Sequence, residues 1–330
     1  MRCTVLGAGS WGTALAIQLA RVGHPVVLWD RNPDRCEQMN RDKRNPRYLK
    51  QYSLPGNLRA EPDLHEACAS AELLVPVLPS HALRGVLRDA KSAIGADTLT
   101  CTATKGIEDE SLVTMYEVVT HELGGGERHS LLSGPSFAAE VAQGLPTAVV
   151  MAGPGTTAHA SAAAFHSEMF RAYHTEDVTG VCVGGSIKNV MAIACGVSDG
   201  VGLGSNARAG LITRGLAEIT RLSVAMGANP MTMMGLAGMG DLVLTCTGNL
   251  SRNRRVGLAL GQGRTLDDIL AELGEVAEGV TTASSAWKLS QKMGVEMPIT
   301  AQIHALLYEG KPVHRALGDL MRRERRAERD

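Results

Sequence analysis

The segment VLGAGSWGTALA constrains the fold more than any other part of the chain. Gly7, Gly9 and Gly12 stand in G-x-G-x-x-G spacing, directly after the short apolar run CTVL and at the start of a run with helical spacing. Strand, glycine turn and helix in that order form the dinucleotide-binding unit of a doubly wound α/β sheet. Gly7 permits the tight turn, Gly9 lets the backbone approach a pyrophosphate, and Gly12 lets helix and strand pack closely. The helix N-terminus adds amide groups and a partial positive charge for phosphates. The opening MRCTVLGAGSWGTALAIQLA also imitates a signal peptide, one Arg followed by apolar residues. The glycine spacing favours the turn over that reading.

The next apolar run, PVVLWD, predicts a second strand ending at Asp30. An acid there hydrogen-bonds an adenosine ribose 2′-hydroxyl, which favours NAD; Arg31 immediately after it pairs with a 2′-phosphate, which favours NADP. The two residues argue opposite ways and leave the cofactor open. Asn32 caps a helix with Pro33 in its first turn. The charged stretch 40–52 reads as an exposed loop. ELLVPVL, TLTCTAT, SLLSG and TAVVM follow as short strands separated by helical segments. This alternation predicts a parallel sheet with helices on both faces. The pattern changes near residue 184, beyond which Gly- and Ala-rich segments carry helical spacing and no strand is expected. The expected architecture is an α/β Rossmann-type dinucleotide-binding domain, 1–183, followed by an all-α substrate and catalytic domain, 184–330.

Bulk properties narrow the function. A formal net charge of −1 and 3% aromatic residues argue against a nucleic-acid partner. Seven dispersed cysteines with no CxxC pair read as free thiols in a reducing compartment, without a disulfide frame or a metal site. No apolar stretch is expected to reach the ~18–20 residues that span a bilayer, and a cytoplasmic protein without a membrane anchor follows. The methionine cluster MTMMGLAGMG reads as core filler.

Three cations stand in unusual settings. Lys105 in TATKGIE follows a predicted strand end, where ligand crevices of open sheets form. Lys188 in GGSIKNVMAIACG interrupts an otherwise small and apolar run at the seam between the two halves. One reading is a snorkelling lysine with a packed stem and a wet head; the other is a buried ammonium whose pKa falls towards working pH, as a general acid requires. Arg252 in SRNRRVG follows Ser251, which caps a new helix whose first amides suit a phosphate. Arg254 and Arg255 read as an ordinary basic face. Asp241, in GMGDLVLT, is placed to partner a buried lysine.

Seven blocks together, GAGSWGTALA, ATKGIE, SGPSFAAEVAQGLPTA, IKNVMAIACGVSDG, TRGLAEITRL, AGMGDLVLTCTGNLSRNRRVG and EGV…GVEMPIT, closely resemble the prokaryotic type of NAD(P)-dependent glycerol-3-phosphate dehydrogenase. The resemblance implies reversible reduction of dihydroxyacetone phosphate to sn-glycerol 3-phosphate for glycerophospholipid synthesis, by a homodimer or similar small oligomer using NAD or NADP. It makes Lys188 the general acid/base at the C2 oxygen, beside Asn189, with Asp241 and Thr245 orienting lysine or substrate. Ser251, Arg252 and Asn253 then hold the phosphate, and Gly134 and Ser136 line the substrate pocket. Lys105 and Arg252 touch substrate and cofactor. Ser10, Trp11, Asp30, Arg31 and Ala138 meet the dinucleotide on the first domain, and Val276 and Glu278 close on it from the second. Trp11 stands where the family often has Tyr or Phe. Two other readings compete: a 3-hydroxyacid or 6-phosphogluconate-type dehydrogenase, and a dinucleotide sensor without catalysis.

Overall fold

The computed structural model describes residues 1–273, 277–324 and 327. Eight strands form one sheet: β1 (Cys3–Leu6), β2 (Val26–Trp29), β3 (Leu58–Glu61), β4 (Leu73–Pro76), β5 (Leu99–Thr102), β6 (His129–Ser133), β7 (Thr147–Ala152) and β8 (Phe170–Thr175). Their order is β3-β2-β1-β4-β5-β6-β7-β8. Strand order reverses at β1, so a crevice opens beyond the carboxyl ends of β1 and β4, where Leu6 is in register with Pro76. β1 and β4 are buried along their whole length, as strands covered on both faces must be. Val5 contributes to the core under the helix α1 (Ser10–Arg21), and Leu6 to the core on the opposite face.

Two strands escape the sequence pattern, and both are edges. β3 (LRAE) and β8 (FRAYHT) carry charged or exposed residues in short alternation, a composition that blunts sheet edges. The sheet is also not wholly parallel: β6 pairs β7 antiparallel, and β8 follows β7 in parallel. The helix expected after PVVLWD is α2 (Pro33–Asp42), capped by the Asn32 side chain on the Arg35 N–H. Stretch 40–52 is only partly an exposed loop. Asn45 is 2% exposed and donates to the Ala8 carbonyl and the Thr13 hydroxyl, both at 2.9 Å, so it fastens this segment to the glycine turn.

A 24-residue helix, Val178–Val201, carries the chain from the sheet into the helical half. Asp177 caps it by accepting the Gly180 N–H, and every residue from Gly180 to Ser198 is buried. This seam helix corrects the expectation that no apolar stretch reaches spanning length, yet its apolar stretch lies wholly inside the protein. Its small residues serve packing. A Cβ on Gly196 would lie 2.1 Å from the Arg254 carbonyl oxygen, and one on Gly257 2.0 Å from that of Ile193. Only glycine lets the seam helix and the helix Arg252–Gly261 approach so closely. Beyond the seam helix the described residues contain no strand. The methionine cluster is core filler only in part: Met233 is buried, while Met231 and Met234 are 68% and 59% exposed. The turn Pro230–Met234 presents one side to the core and the other to solvent.

Candidate active site

A cleft of about 440 Å³ runs between the glycine turn, the seam helix and the start of the helix Arg252–Gly261. At one end, Gly7 sits at φ +117°, and an added Cβ would lie 2.5 Å from the Val77 carbonyl oxygen. A Cβ on Gly12 would lie 1.8 Å from the Gly7 oxygen, whereas one on Gly9 would meet nothing within 4 Å. Gly7 is therefore required by the turn's backbone as well as by packing, Gly12 by packing, and Gly9 leaves an open cradle against the cleft. That cradle, at the N-terminus of α1, fits a dinucleotide pyrophosphate. Ser10, Trp11 and Ala138 line the same end.

At the other end lies a charge cluster. Lys188, 8% exposed, donates to Asp241 Oδ1 at 2.5 Å and to Thr245 Oγ1 at 3.0 Å. Lys105 donates to Asp241 Oδ2 at 2.7 Å. Thr245 in turn donates to the Asp241 carbonyl oxygen at 2.6 Å, one turn earlier in the helix Asp241–Thr247. One buried carboxylate thus holds two ammonium groups. Burial pushes the Lys188 ammonium down to about 8; Asp241 opposes that fall, and the second cation at Lys105 adds to it. For Asp241, burial alone would raise the pKa, but the two lysines outweigh it and hold the carboxyl below its usual range. A lysine so placed exchanges a proton near neutral pH while its position stays fixed.

Beside Lys188, Asn189 lines the cleft and is 7% exposed. Ser251 caps the helix Arg252–Gly261 through the Arg254 N–H, as its place in the sequence predicts. Arg252 and Asn253 line the cleft with it. Asn253 Oδ1 accepts the Gly279 N–H at 2.9 Å, which leaves its amide NH₂ as the group able to serve an anion. Glu278 accepts from Ser80 Oγ at 2.8 Å and from the Ser80 N–H at 3.3 Å, tying the helical half to the sheet. Burial pushes the Glu278 carboxyl up, against those two donors.

Not every expected site residue reaches the cleft wall. Gly134 sits behind Ser136, accepting its hydroxyl at 3.0 Å, and Gly134 itself packs against Val149. Asp241 stands behind the lysines at 1% exposure. Asp30 and Arg31 lie past the end of β2 outside the lining, and Val276 falls outside the described residues. Conversely, Tyr48, Leu49, Phe137, Leu250 and Arg255 line the cleft without having been singled out. Arg255 is thus no ordinary basic face, and Arg254 forms an ion pair with Asp199 at 2.6 Å. Among the described residues no cluster of His, Cys, Asp or Glu suits a metal ion.

Residues 2–159 match the family model for the NAD-dependent glycerol-3-phosphate dehydrogenase N-terminus, and residues 177–318 match that for its C-terminus. The chain belongs to this family. A glycerol-3-phosphate dehydrogenase [NAD(P)+] of Anaeromyxobacter dehalogenans is 52% identical, covering 99% of this chain and 100% of its own. The crystal structure of glycerol-3-phosphate dehydrogenase from Coxiella burnetii superposes with a TM-score of 0.93 at 43% identity, covering 98% of this chain and 99% of that one. The Saccharomyces cerevisiae enzyme gives 0.83 at 27% identity over 98% and 99%. As a glycerol-3-phosphate dehydrogenase, the chain is an oxidoreductase acting on a CH–OH group with NAD(P). The hydroxyacid and sensor readings are set aside by that membership.

Proposed function

We propose that Lys188 is the general acid of this dehydrogenase, giving its proton to the C2 oxygen of dihydroxyacetone phosphate and taking it back in the reverse direction. The observation that carries this is the Lys188 ammonium itself: buried, lowered to about 8, and held by Asp241 and Thr245 on a wall shared with the glycine cradle. When bound, the nicotinamide supplies or accepts the hydride. The rest falls to the chain. Asp241 fixes the Lys188 ammonium, and Lys105 keeps that carboxylate charged when Lys188 gives up its proton. Asn189 offers its amide to the substrate, and the first turn of the helix Arg252–Gly261 offers amides, the Ser251 hydroxyl, the Asn253 NH₂ and the Arg252 guanidinium to the phosphate.

On this reading residues 1–183 bind the dinucleotide and 184–330 the substrate, a division that falls within the seam helix, so one rigid element serves both. The product, sn-glycerol 3-phosphate, is the backbone for glycerophospholipids. We take the enzyme to be a cytoplasmic homodimer without a membrane anchor. The free, buried state of all seven cysteines supports a reducing compartment.

The test is absorbance at 340 nm with dihydroxyacetone phosphate and NADH or NADPH; oxidation of either supports the reading, and oxidation of neither contradicts it. Arg252→Ala is expected to raise KM for dihydroxyacetone phosphate by ~10–100-fold, the worth of a charge-assisted hydrogen bond, with a smaller change in kcat. An unchanged KM would remove Arg252 from phosphate recognition.

A further inference from the structure

The strand end beside the glycine turn holds an ion pair that the chemistry at Lys188 does not use. Gly7 donates its N–H to the Trp29 oxygen at 3.1 Å, so Asp30 begins directly alongside the turn. Asp30 is 7% exposed, and a carboxylate so buried needs a partner. Two donors meet the same oxygen, Oδ1: Arg35 Nη2 at 2.6 Å and the Asn32 N–H at 2.9 Å. Both belong to the start of α2, Asn32 as its cap and Arg35 in its first turn. The Arg35 side chain is only 24% exposed, so its charge is weakly screened by water. Arg31, next to Asp30, is exposed.

We propose that Arg35 is a specificity-determining residue for the cofactor, acting through Asp30. By drawing the Asp30 carboxylate onto the first turn of α2, Arg35 neutralises the charge that would otherwise repel a ribose 2′-phosphate. Arg31 is then the dominant charge at that corner, and a dinucleotide bearing a 2′-phosphate binds better than one with a free 2′-hydroxyl. The contrary signals of Asp30 and Arg31 in the sequence resolve through a third residue, one helical turn away. The proposal rests on the dehydrogenase reading for the identity of its ligand, but not on turnover.

Calorimetric titration of the full chain with NADPH and with NADH tests it, because binding is read whether or not the enzyme reduces dihydroxyacetone phosphate. Wild type is expected to bind NADPH more tightly. Arg35→Ala should cut the NADPH-over-NADH preference by ~10-fold or more, since a freed carboxylate then faces the 2′-phosphate. The double variant Asp30→Asn/Arg35→Ala should recover the preference to within ~3-fold of wild type, because both charges are gone. Four results would overturn the proposal: a wild type that prefers NADH, an unchanged preference in Arg35→Ala, equal weakening of both cofactors, or a loss that persists in the double variant. The last would make Arg35 a direct phosphate ligand.

Discussion

Replacing Lys188 by alanine is expected to lower kcat for dihydroxyacetone phosphate reduction by ~10²–10⁴-fold or more, the usual worth of a positioned proton donor. The fold should tolerate the change. Asp241 keeps Lys105 at 2.7 Å, so no buried carboxylate is left without a cation. Alanine also suits the interior of the seam helix. NAD(P)H binding should stay nearly intact, because the cradle at Gly9 lies at the other end of the cleft. Single-turnover kinetics and direct NADPH titration separate the two effects. A variant that loses cofactor affinity together with turnover would make Lys188 a structural residue.

Asp241→Ala is expected to damage both stability and turnover. The substitution leaves two largely buried ammonium groups facing each other without their shared carboxylate. Removing one partner of a buried ion pair costs about 3–5 kcal/mol, read as a lower urea midpoint at unchanged slope. The deficit depends on pH. With Asp241 gone, the Lys188 pKa falls below its present value of about 8, further from the unfolded value of 10.5. A lysine depressed in the folded state binds fewer protons there than in the unfolded chain, so stability rises with pH across that window. The loss relative to wild type should therefore be largest below the variant's folded pKa and shrink as pH climbs to about 8, above which both proteins gain stability alike. A urea midpoint equal to wild type at neutral pH would show that Asp241 does not hold the lysines together.

Much of this was legible in the sequence where chemistry forces a residue type. Gly7 and Gly12 stand where backbone leaves no room for a Cβ. Lys188 stands out as a charge in an apolar run, but only the family's other sequence blocks separate it from a snorkelling lysine. Ser251 and Asn32 cap the helices their positions predict. What escaped the sequence depends on tertiary partners. β3 and β8 lack an apolar run because only one side of an edge strand is paired. The reversal of β7 lies in a connection, and strand residues read alike in either direction. Tyr48 and Leu49 reach the cleft because Asn45, in a stretch that looks merely charged, is pinned to Ala8 and Thr13. Arg254 and Arg255 are adjacent and chemically alike, yet one pairs with Asp199 and the other lines the cleft. Nothing local separates them.

If the Lys188 ammonium supplies the proton, its titration should appear in the pH dependence of kcat/KM in both directions. In dihydroxyacetone phosphate reduction the protonated lysine is required, so kcat/KM should be level below pH about 8 and fall tenfold per pH unit above it. In glycerol 3-phosphate oxidation the neutral lysine is required, so kcat/KM should rise to the same point and then level. Both inflections should vanish from the residual activity of Lys188→Ala. The same inflections surviving in that variant would assign the proton to another group.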